Sequence, residues 1–397
     1  MSVMMKRIFT ILFLLLFLVS FMSVTVSASE TAYATRIDLV AEKYIGEKVP
    51  GACVIISEGG NPVFSKGYGF SSIEQVSPMN PETTVFEWGS ISKTFVWVSV
   101  MQLEERGNVN LTEDIRTYLP KDFLKNLCYE EPVTLLHLMN HTAGFEEQML
   151  DLRFYKLEEE ISLLSVMSEY QPKQIFRPGE ICAYSNWGAS LAALIVEQIS
   201  GQSYCDYVQE NILKPLNMNT TSVAPFEEDV LGLPEYKATG YSCERSSFRV
   251  EPFMHLRMYP AGAMNGSASE LLKYAGELAK TPGKETVLFQ KPETKEKMFE
   301  ETWRSYGANT GLSHGFWQYS GDNRTFGHEG GTYGFKTQFW IQPDQERAIL
   351  ILTNVMETDF CSEVMRVLIY KDTGDFCFTN WFSNDCVNKK LKFRIGG

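Results

Sequence analysis

Apolar residues gather in strand-like runs toward the two ends of the chain and at helical spacing through its middle. Near the start, Gly51-Ala-Cys-Val-Ile-Ile-Ser is an apolar run bounded by glycine, and Gly59-Gly60-Asn61 turns the chain into residues 62–69. Two such segments joined by a glycine-rich turn predict a β-hairpin. Toward the other end, Gly315-Phe-Trp-Gln-Tyr is followed by Phe335-Lys-Thr-Gln-Phe-Trp-Ile-Gln, which alternates apolar and polar, and by Arg347-Ala-Ile-Leu-Ile-Leu-Thr. Strands this close in sequence are expected to be antiparallel neighbours. Between the two blocks the pattern predicts helices over residues 90–106, 134–140, 158–170, 187–199, 204–212 and 269–279. In the fourth, Leu191, Leu194, Ile195 and Ile199 form one apolar face, and Gly201 stands where a C-terminal glycine ends a helix. Further helices are expected over 36–47 and 359–370. The order β, long α, β predicts an α+β fold: one antiparallel sheet built from both ends of the chain, with a helical region of about 107–280 inserted between them.

The first 28 residues follow another rule. Lys6-Arg7 precede an uncharged apolar run over 8–26, and Val26-Ser27-Ala28 supplies small residues at the −3 and −1 positions. This is the pattern of a secretory signal cleaved after Ala28. An uncleaved anchor is the alternative, because a largely apolar run of 19 residues is just enough to span a bilayer. The expected organisation is a signal peptide over 1–28, a main domain over 29–371 and a tail over 372–397. The tail is aromatic and then basic. The expected localisation is extracytoplasmic or secreted, with membrane attachment only if the leader is retained.

Composition narrows the class. Of 397 residues, 44% are hydrophobic and 21% charged, which are globular values. A net charge of −13 lacks the positive field that nucleic-acid phosphates require. Eight cysteines show no CxxC, and Cys377 with Cys386 is the best candidate disulfide. With five scattered histidines, nothing in the sequence implies a metal site or a cofactor.

Three short motifs carry candidate chemistry. Gly89-Ser90-Ile91-Ser92-Lys93 opens a predicted helix, and a serine followed by lysine three residues later shares one helix face. The helix N-terminus favours a developing oxyanion and a lowered lysine pKa, and a neutral lysine can take the serine proton. Taken alone, an N-cap serine beside a surface lysine explains the motif equally well. Tyr184-Ser185-Asn186 is the sole Tyr-x-Asn in the chain. Its tyrosine can relay a proton and its asparagine amide can hold a substrate carbonyl, although a helix cap after a core tyrosine reads the same way. His328-Glu329-Gly330-Gly331 is the sole His-x-Gly and lies just before a predicted strand. Its glycines would let a substrate approach the backbone, or would merely form a hairpin turn.

With these motifs in this order, the sequence resembles the serine hydrolases that group class C β-lactamases with penicillin-binding proteins, D-aminopeptidases and β-lactamase-like esterases. The resemblance also rests on Phe86-Glu-Trp-Gly-Ser-Ile-Ser-Lys-Thr-Phe, Val133-Thr-Leu-Leu-His-Leu-Met-Asn-His-Thr-Ala-Gly-Phe, Phe176-Arg-Pro-Gly-Glu, Pro260-Ala-Gly-Ala-Met and Gly327-His-Glu-Gly-Gly-Thr-Tyr-Gly-Phe. It implies a β-lactamase/transpeptidase-like fold with Ser90 as nucleophile, Lys93 as its proton acceptor and Tyr184 sharing the acid/base work. It further implies that Asn186, His328, Gly330 and Gly331 contact substrate, with the Ser90 and Gly331 amides as oxyanion hole. His137 and His141 are expected to be structural. His328 stands where β-lactamases and many penicillin-binding proteins carry the lysine of Lys-Thr-Gly. That departure shifts the expectation from β-lactams toward amides and esters, with a small-molecule or peptide substrate, cell-wall-derived ones included. If His328 must be neutral, activity is expected to rise with pH through about 6 to 7. A non-catalytic sensor that holds peptidoglycan or a β-lactam, and a true β-lactamase, are the alternatives.

Overall fold

The computed structural model describes residues 28–147, 153–154, 162–223, 236–253, 255–305, 310–319, 324–356 and 358–369. The expected tail, its Cys377 and Cys386, and nearly all of the expected leader lie outside the described residues.

The main sheet is built from both ends of the chain, as the sequence pattern predicts. Its first strands are β1 (Gly51–Glu58), β2 (Asn61–Ser72) and β3 (Ser77–Pro78). The later block supplies β4 (Trp303–Arg304), β5 (Thr310–Ser313), β6 (Phe316–Tyr319), β7 (Thr325–Gly331), β8 (Lys336–Gln342) and β9 (Arg347–Thr353). The spatial order is β4-β5-β6-β7-β8-β9-β1-β2-β3, with every neighbouring pair antiparallel. β1 joins the two blocks through its pairing with β9, from Ala52 opposite Thr353 to Glu58 opposite Arg347.

Helices cover both faces of this sheet, which explains why β1 and β9 read as unbroken apolar runs rather than alternating ones. On one face Val54, Ile56, Trp340, Ile349 and Ile351 pack against two terminal helices. These are α1 (Ala28–Tyr44), through Ile37, Val40 and Ala41, and the last described helix, Phe360–Ile369, through Phe360, Val364 and Met365. On the other face Cys53, Ile55, Phe339, Ile341, Leu350 and Leu352 belong to a larger core shared with the helical region. That region includes α2 (Ser92–Glu105), α3 (Leu135–Met139), α4 (Leu163–Glu169), α5 (Asn186–Ser200), α6 (Tyr204–Val208) and α7 (Ala268–Ala279). α7, placed within the inserted region by sequence, packs directly on β1, β8 and β9 and so belongs to the sheet layer. α2 is buried from Ser92 to Leu103 and packs against α5, which makes it the hinge between sheet and helical region.

Local signals fix the helix ends. The Ser185 hydroxyl accepts from the Gly188 amide at 2.9 Å and caps α5, while Gly201, at φ +70°, closes it. Thr134 and His137 form a reciprocal capping box on α3, which gives His137 the structural role expected of it.

The sheet meets α2 through one close backbone contact. Thr337 of β8 donates its hydroxyl to the Trp88 carbonyl at 2.9 Å, just ahead of Ser90. A Cβ on Gly330 of β7 would lie 2.0 Å from that same carbonyl oxygen, a distance no side chain can tolerate. A Cβ on Gly331 would meet only the Met356 thioether, at 2.7 Å, which can swing away. Gly330→Ala is therefore expected to cost about 1–3 kcal/mol of stability by overpacking, and Gly331→Ala clearly less. Urea denaturation of the two variants checks the order, and equal midpoints would show that the close approach is not required.

Candidate active site

Ser90 lies in a single 3-10 turn, Gly89–Ile91, that runs straight into α2. Gly89, at φ +55°, turns the chain sharply, and a Cβ there would lie 2.6 Å from the Gly331 amide nitrogen. The end of β7 thus sits against the serine turn. Ser92 holds the turn from inside: its hydroxyl donates to the Gly89 carbonyl at 2.7 Å and accepts from the Met264 amide at 3.1 Å.

One helical turn on, Lys93 has no exposed surface. Its Nζ donates to the Ala261 carbonyl at 2.6 Å, lies 2.9 Å from Ser90 Oγ and stands 4.8 Å from the centre of the Tyr184 ring. Burial drives its pKa down to about 7, while the charge of Glu147 opposes the fall. In the neutral amine one hydrogen is committed to Ala261, and the lone pair is left for the serine proton.

Tyr184 precedes α5 with its phenol near the Ser90 hydroxyl. Burial pushes that phenol far above its ordinary range, so Tyr184 can pass a proton but does not exist as a phenolate. His141 supports this segment. Its Nδ1 accepts from the Ser185 amide at 3.2 Å, and its ring centre lies 4.5 Å from that of Tyr184. The Trp317 ring lies nearly parallel to that of His141, with centres 6.4 Å apart.

Asn186, the first residue of α5, is bound more tightly than its sequence suggests. Its Nδ2 donates to Glu147 Oε1 at 2.6 Å and its backbone amide to Oε2 at 2.8 Å. One amide hydrogen expected to hold a substrate carbonyl is therefore spent on a carboxylate.

His328 lies just ahead of the predicted strand, which is β8, but is itself inside β7, opposite Phe339. The glycines obscured the strand: Gly327 has no side chain because a Cβ would lie 1.9 Å from the Phe339 carbonyl oxygen. His328 Nδ1 is 2.6 Å from the Glu329 carbonyl oxygen, which can only accept, so Nδ1 carries the proton and Nε2 the lone pair. Nε2 is buried and has no hydrogen-bond partner among the described residues. Burial, reinforced by the charge of Lys93, holds the imidazole down to about 3. This corrects the expectation that His328 sets a pH limb at 6 to 7: it is neutral throughout that range, and Lys93 titrates there instead.

The structure thus gathers Ser90, Lys93, Tyr184, Asn186, His328, Gly330 and Gly331 around one cleft edge where β7 meets the starts of α2 and α5. Sequence reasoning missed Glu147, the Ala261 carbonyl and the contact of His141 with Tyr184. His141 and Ala261 both fell within segments singled out for resemblance. Glu147 carried no signal beyond standing two residues after Phe145. Among the described residues no group of three or more His, Cys, Asp or Glu side chains could hold a metal ion.

The Beta-lactamase family model matches residues 37–371, nearly all of the chain beyond its first segment. The chain belongs to the serine β-lactamase-like family. It is 26% identical over 313 residues to Protein flp of Staphylococcus aureus strain N315, covering 77% of this chain and 60% of that protein. The chain thus spans about 60% of the length of the curated relatives first matched. A penicillin-binding protein homologue from Pyrococcus abyssi, octameric in its structure, superposes with a TM-score of 0.73 at 24% identity, over 84% of this chain and 76% of that one. EstCE1, a hydrolase with promiscuous acyltransferase activity, superposes with a TM-score of 0.72 at 21% identity, over 86% of this chain and 99% of that one. These superpositions establish the β-lactamase/transpeptidase-like fold for the family member described here.

If neutral Lys93 takes the Ser90 proton, Ser90 reactivity should rise with pH through about 7 and level off above it. The rate of Ser90 modification by a neutral fluorophosphonate between pH 5 and 9 reads this directly. His328→Gln should leave the midpoint within a few tenths of a unit, and a midpoint that disappears in that variant would return the limb to His328.

Proposed function

We propose that the protein is an exported serine hydrolase that cleaves a peptide-like amide or an ester through an acyl-enzyme on Ser90. The observation that carries this reading is the fully buried Lys93 with its Nζ 2.9 Å from Ser90 Oγ. Neutral Lys93 takes the hydroxyl proton as Oγ forms a bond to the substrate carbonyl carbon. The oxyanion that results is held by the Ser90 and Gly331 amides, both at the junction of the serine turn and β7. Collapse of the adduct breaks the C–N or C–O bond, and the leaving group receives the proton from Lys93 by way of Tyr184. Water then attacks the acyl-serine with the same groups acting in reverse, or another acceptor takes the acyl group. Export is supported by the basic, apolar and small-residue pattern of the first 28 residues. No described helix is long and apolar enough to cross a membrane.

Substrate choice follows from His328. A lysine at this position would offer a fixed positive charge to a substrate carboxylate, whereas a neutral imidazole offers none. Small esters or amides, especially those with a D-residue, are therefore favoured over penicillins. The convergence of Ser90, Lys93 and Tyr184 also speaks against a pure sensor, which needs no proton acceptor at its serine.

Ser90→Ala should abolish turnover with an unchanged melting curve, and Lys93→Ala and Tyr184→Phe should each lose roughly a hundredfold or more. Steady-state kinetics on D-amino-acid amides, esters and penicillins, each with and without a carboxylate where possible, measure both points. Wild-type turnover by folded Ser90→Ala would sink the mechanism, and efficient penicillin hydrolysis would sink the substrate reading.

A further inference from the structure

His141 does the structural work expected of it, but that work leaves half of its ring unused. Its carbonyl accepts from the Ala183 amide at 2.7 Å and its Nδ1 from the Ser185 amide at 3.2 Å, so it grips the chain on both sides of Tyr184. Its φ of +53° lies in the left-handed region, which asparagine tolerates and most side chains avoid. An asparagine there would also offer Ser185 an acceptor in the place of Nδ1. What the imidazole adds is a ring against Tyr184 and a second nitrogen. Because Nδ1 accepts, Nε2 carries the proton, and that N–H is buried with no partner among the described residues.

A second imidazole supplies the opposite half of a hydrogen-bonding pair. His328 Nδ1 donates to the Glu329 carbonyl at 2.6 Å, which leaves a lone pair on its Nε2, likewise buried and unpartnered among the described residues. Each residue is 2% exposed. Both imidazoles border the same two rings: that of Tyr184, centred 4.5 Å from His141 and 6.1 Å from His328, and that of Trp317, 6.4 Å from each. A charge on His328 is felt at His141, and both feel Lys93, whose Nζ stands 4.8 Å from the Tyr184 ring centre. Burial keeps both imidazoles neutral, so that near pH 7 the donor stays a donor and the acceptor an acceptor. A buried donor and a buried acceptor left unpaired beside one phenol are costly, and a single O–H group relieves both.

We propose that His141 and His328 hold one water molecule between their Nε2 atoms, and that this water is the nucleophile that hydrolyses acyl-Ser90. Its attack presupposes the Ser90 hydrolase reading given above. The water accepts from His141 Nε2, donates one hydrogen to His328 Nε2 and the other to the Tyr184 phenol oxygen, which leaves one lone pair for the acyl carbon. As the water oxygen bonds to that carbon, the proton shared with Tyr184 passes through Tyr184 and Lys93 to Ser90 Oγ. The C–Oγ bond breaks, which frees the acid and restores the serine hydroxyl. His328 accepts its hydrogen bond without taking the proton, since burial holds the imidazole down to about 3. Acylation, in which the amine or alcohol leaves, needs no such water.

The test separates the two halves of the reaction. Full-length protein is mixed with p-nitrophenyl acetate, an activated ester that acylates fast. Nitrophenol release before the steady state reads acylation, the steady rate reads deacylation, and intact mass gives the share of acyl-Ser90. His141→Asn keeps an acceptor for Ser185 and suits the left-handed backbone but removes Nε2–H, so it should acylate within about twofold of wild type. Its steady rate should fall about tenfold or more, with acyl-Ser90 accumulating. His328→Asn keeps a donor for the Glu329 carbonyl, removes the Nε2 acceptor and should behave alike. The double variant should lose no more than about twofold beyond the slower single variant, because one water cannot be lost twice. Equal falls in both phases would make His141 a support for Tyr184 alone, and unchanged steady rates or losses that multiply in the double variant would each overturn the shared water. If His141→Asn does not fold, the two phases in His328→Asn decide. Wild-type protein that forms no acyl-Ser90 and resists a neutral fluorophosphonate would remove the hydrolase reading itself, and this assignment with it.

Discussion

Withdrawal of the Lys93 amine from water is the constraint on which the cleft depends. A buried ammonium is costly, and the protein meets that cost by letting the group shed its proton near neutrality and by giving it two partners. One is the Ala261 carbonyl, which fixes the direction of Nζ, and the other is the Ser90 hydroxyl. Neither can move without leaving Lys93 unsatisfied. The segment around Ala261 is therefore anchored to the serine turn at several points: Met264 accepts from the Trp88 amide at 2.9 Å and Gly266 from its indole at 3.0 Å.

The same turn is held from the sheet side. Trp88 receives Thr337 on its carbonyl, and Gly330 clears room for that carbonyl. The serine turn is thus clamped between a strand from the C-terminal block and a loop from the helical region, which is how an insertion in the middle of the chain comes to share a site with both ends of it. In the proposed reaction, a turn held in this way keeps Oγ, Nζ and the two amides in fixed relation, so that little rearrangement would be needed as charge develops. His328 on β7 and Glu147, bound by Asn186 at the start of α5, both feel the charge of Lys93. One is kept neutral by burial and the other is a carboxylate tied to a helix start, and both differ from the positively charged wall expected around a substrate carboxylate.

Much of this was legible in the sequence, for identifiable reasons. β1, β8 and β9 announce themselves because apolar side chains must fill the space on their faces, and α5 because its apolar face and Gly201 obey helical periodicity. Ser90 and Lys93 could be paired because three residues along a helix start is a distance sequence can measure. β7 was harder to see, since glycines required by close backbone approach replace the apolar residues that mark a strand. Glu147 was invisible because its partners, Asn186 and Lys93, are 39 and 54 positions away, and nothing local distinguishes it from the adjacent Glu146. The titration of His328 was misjudged for a related reason: its value is set by burial within the sheet, and burial on a glycine-rich strand leaves no trace in composition.

The most direct measurement is the protonation of Lys93 itself. Protein labelled with 13C at the lysine Cε can be titrated by NMR, with the Lys93 signal assigned by its loss in Lys93→Arg and thereby separated from Lys295, which burial also lowers, to about 8. A Lys93 midpoint near 7, well apart from the exposed lysines, is the expected result. A midpoint in the ordinary lysine range, near 10.4, would mean that the amine is charged at neutral pH and does not take the proton of Ser90.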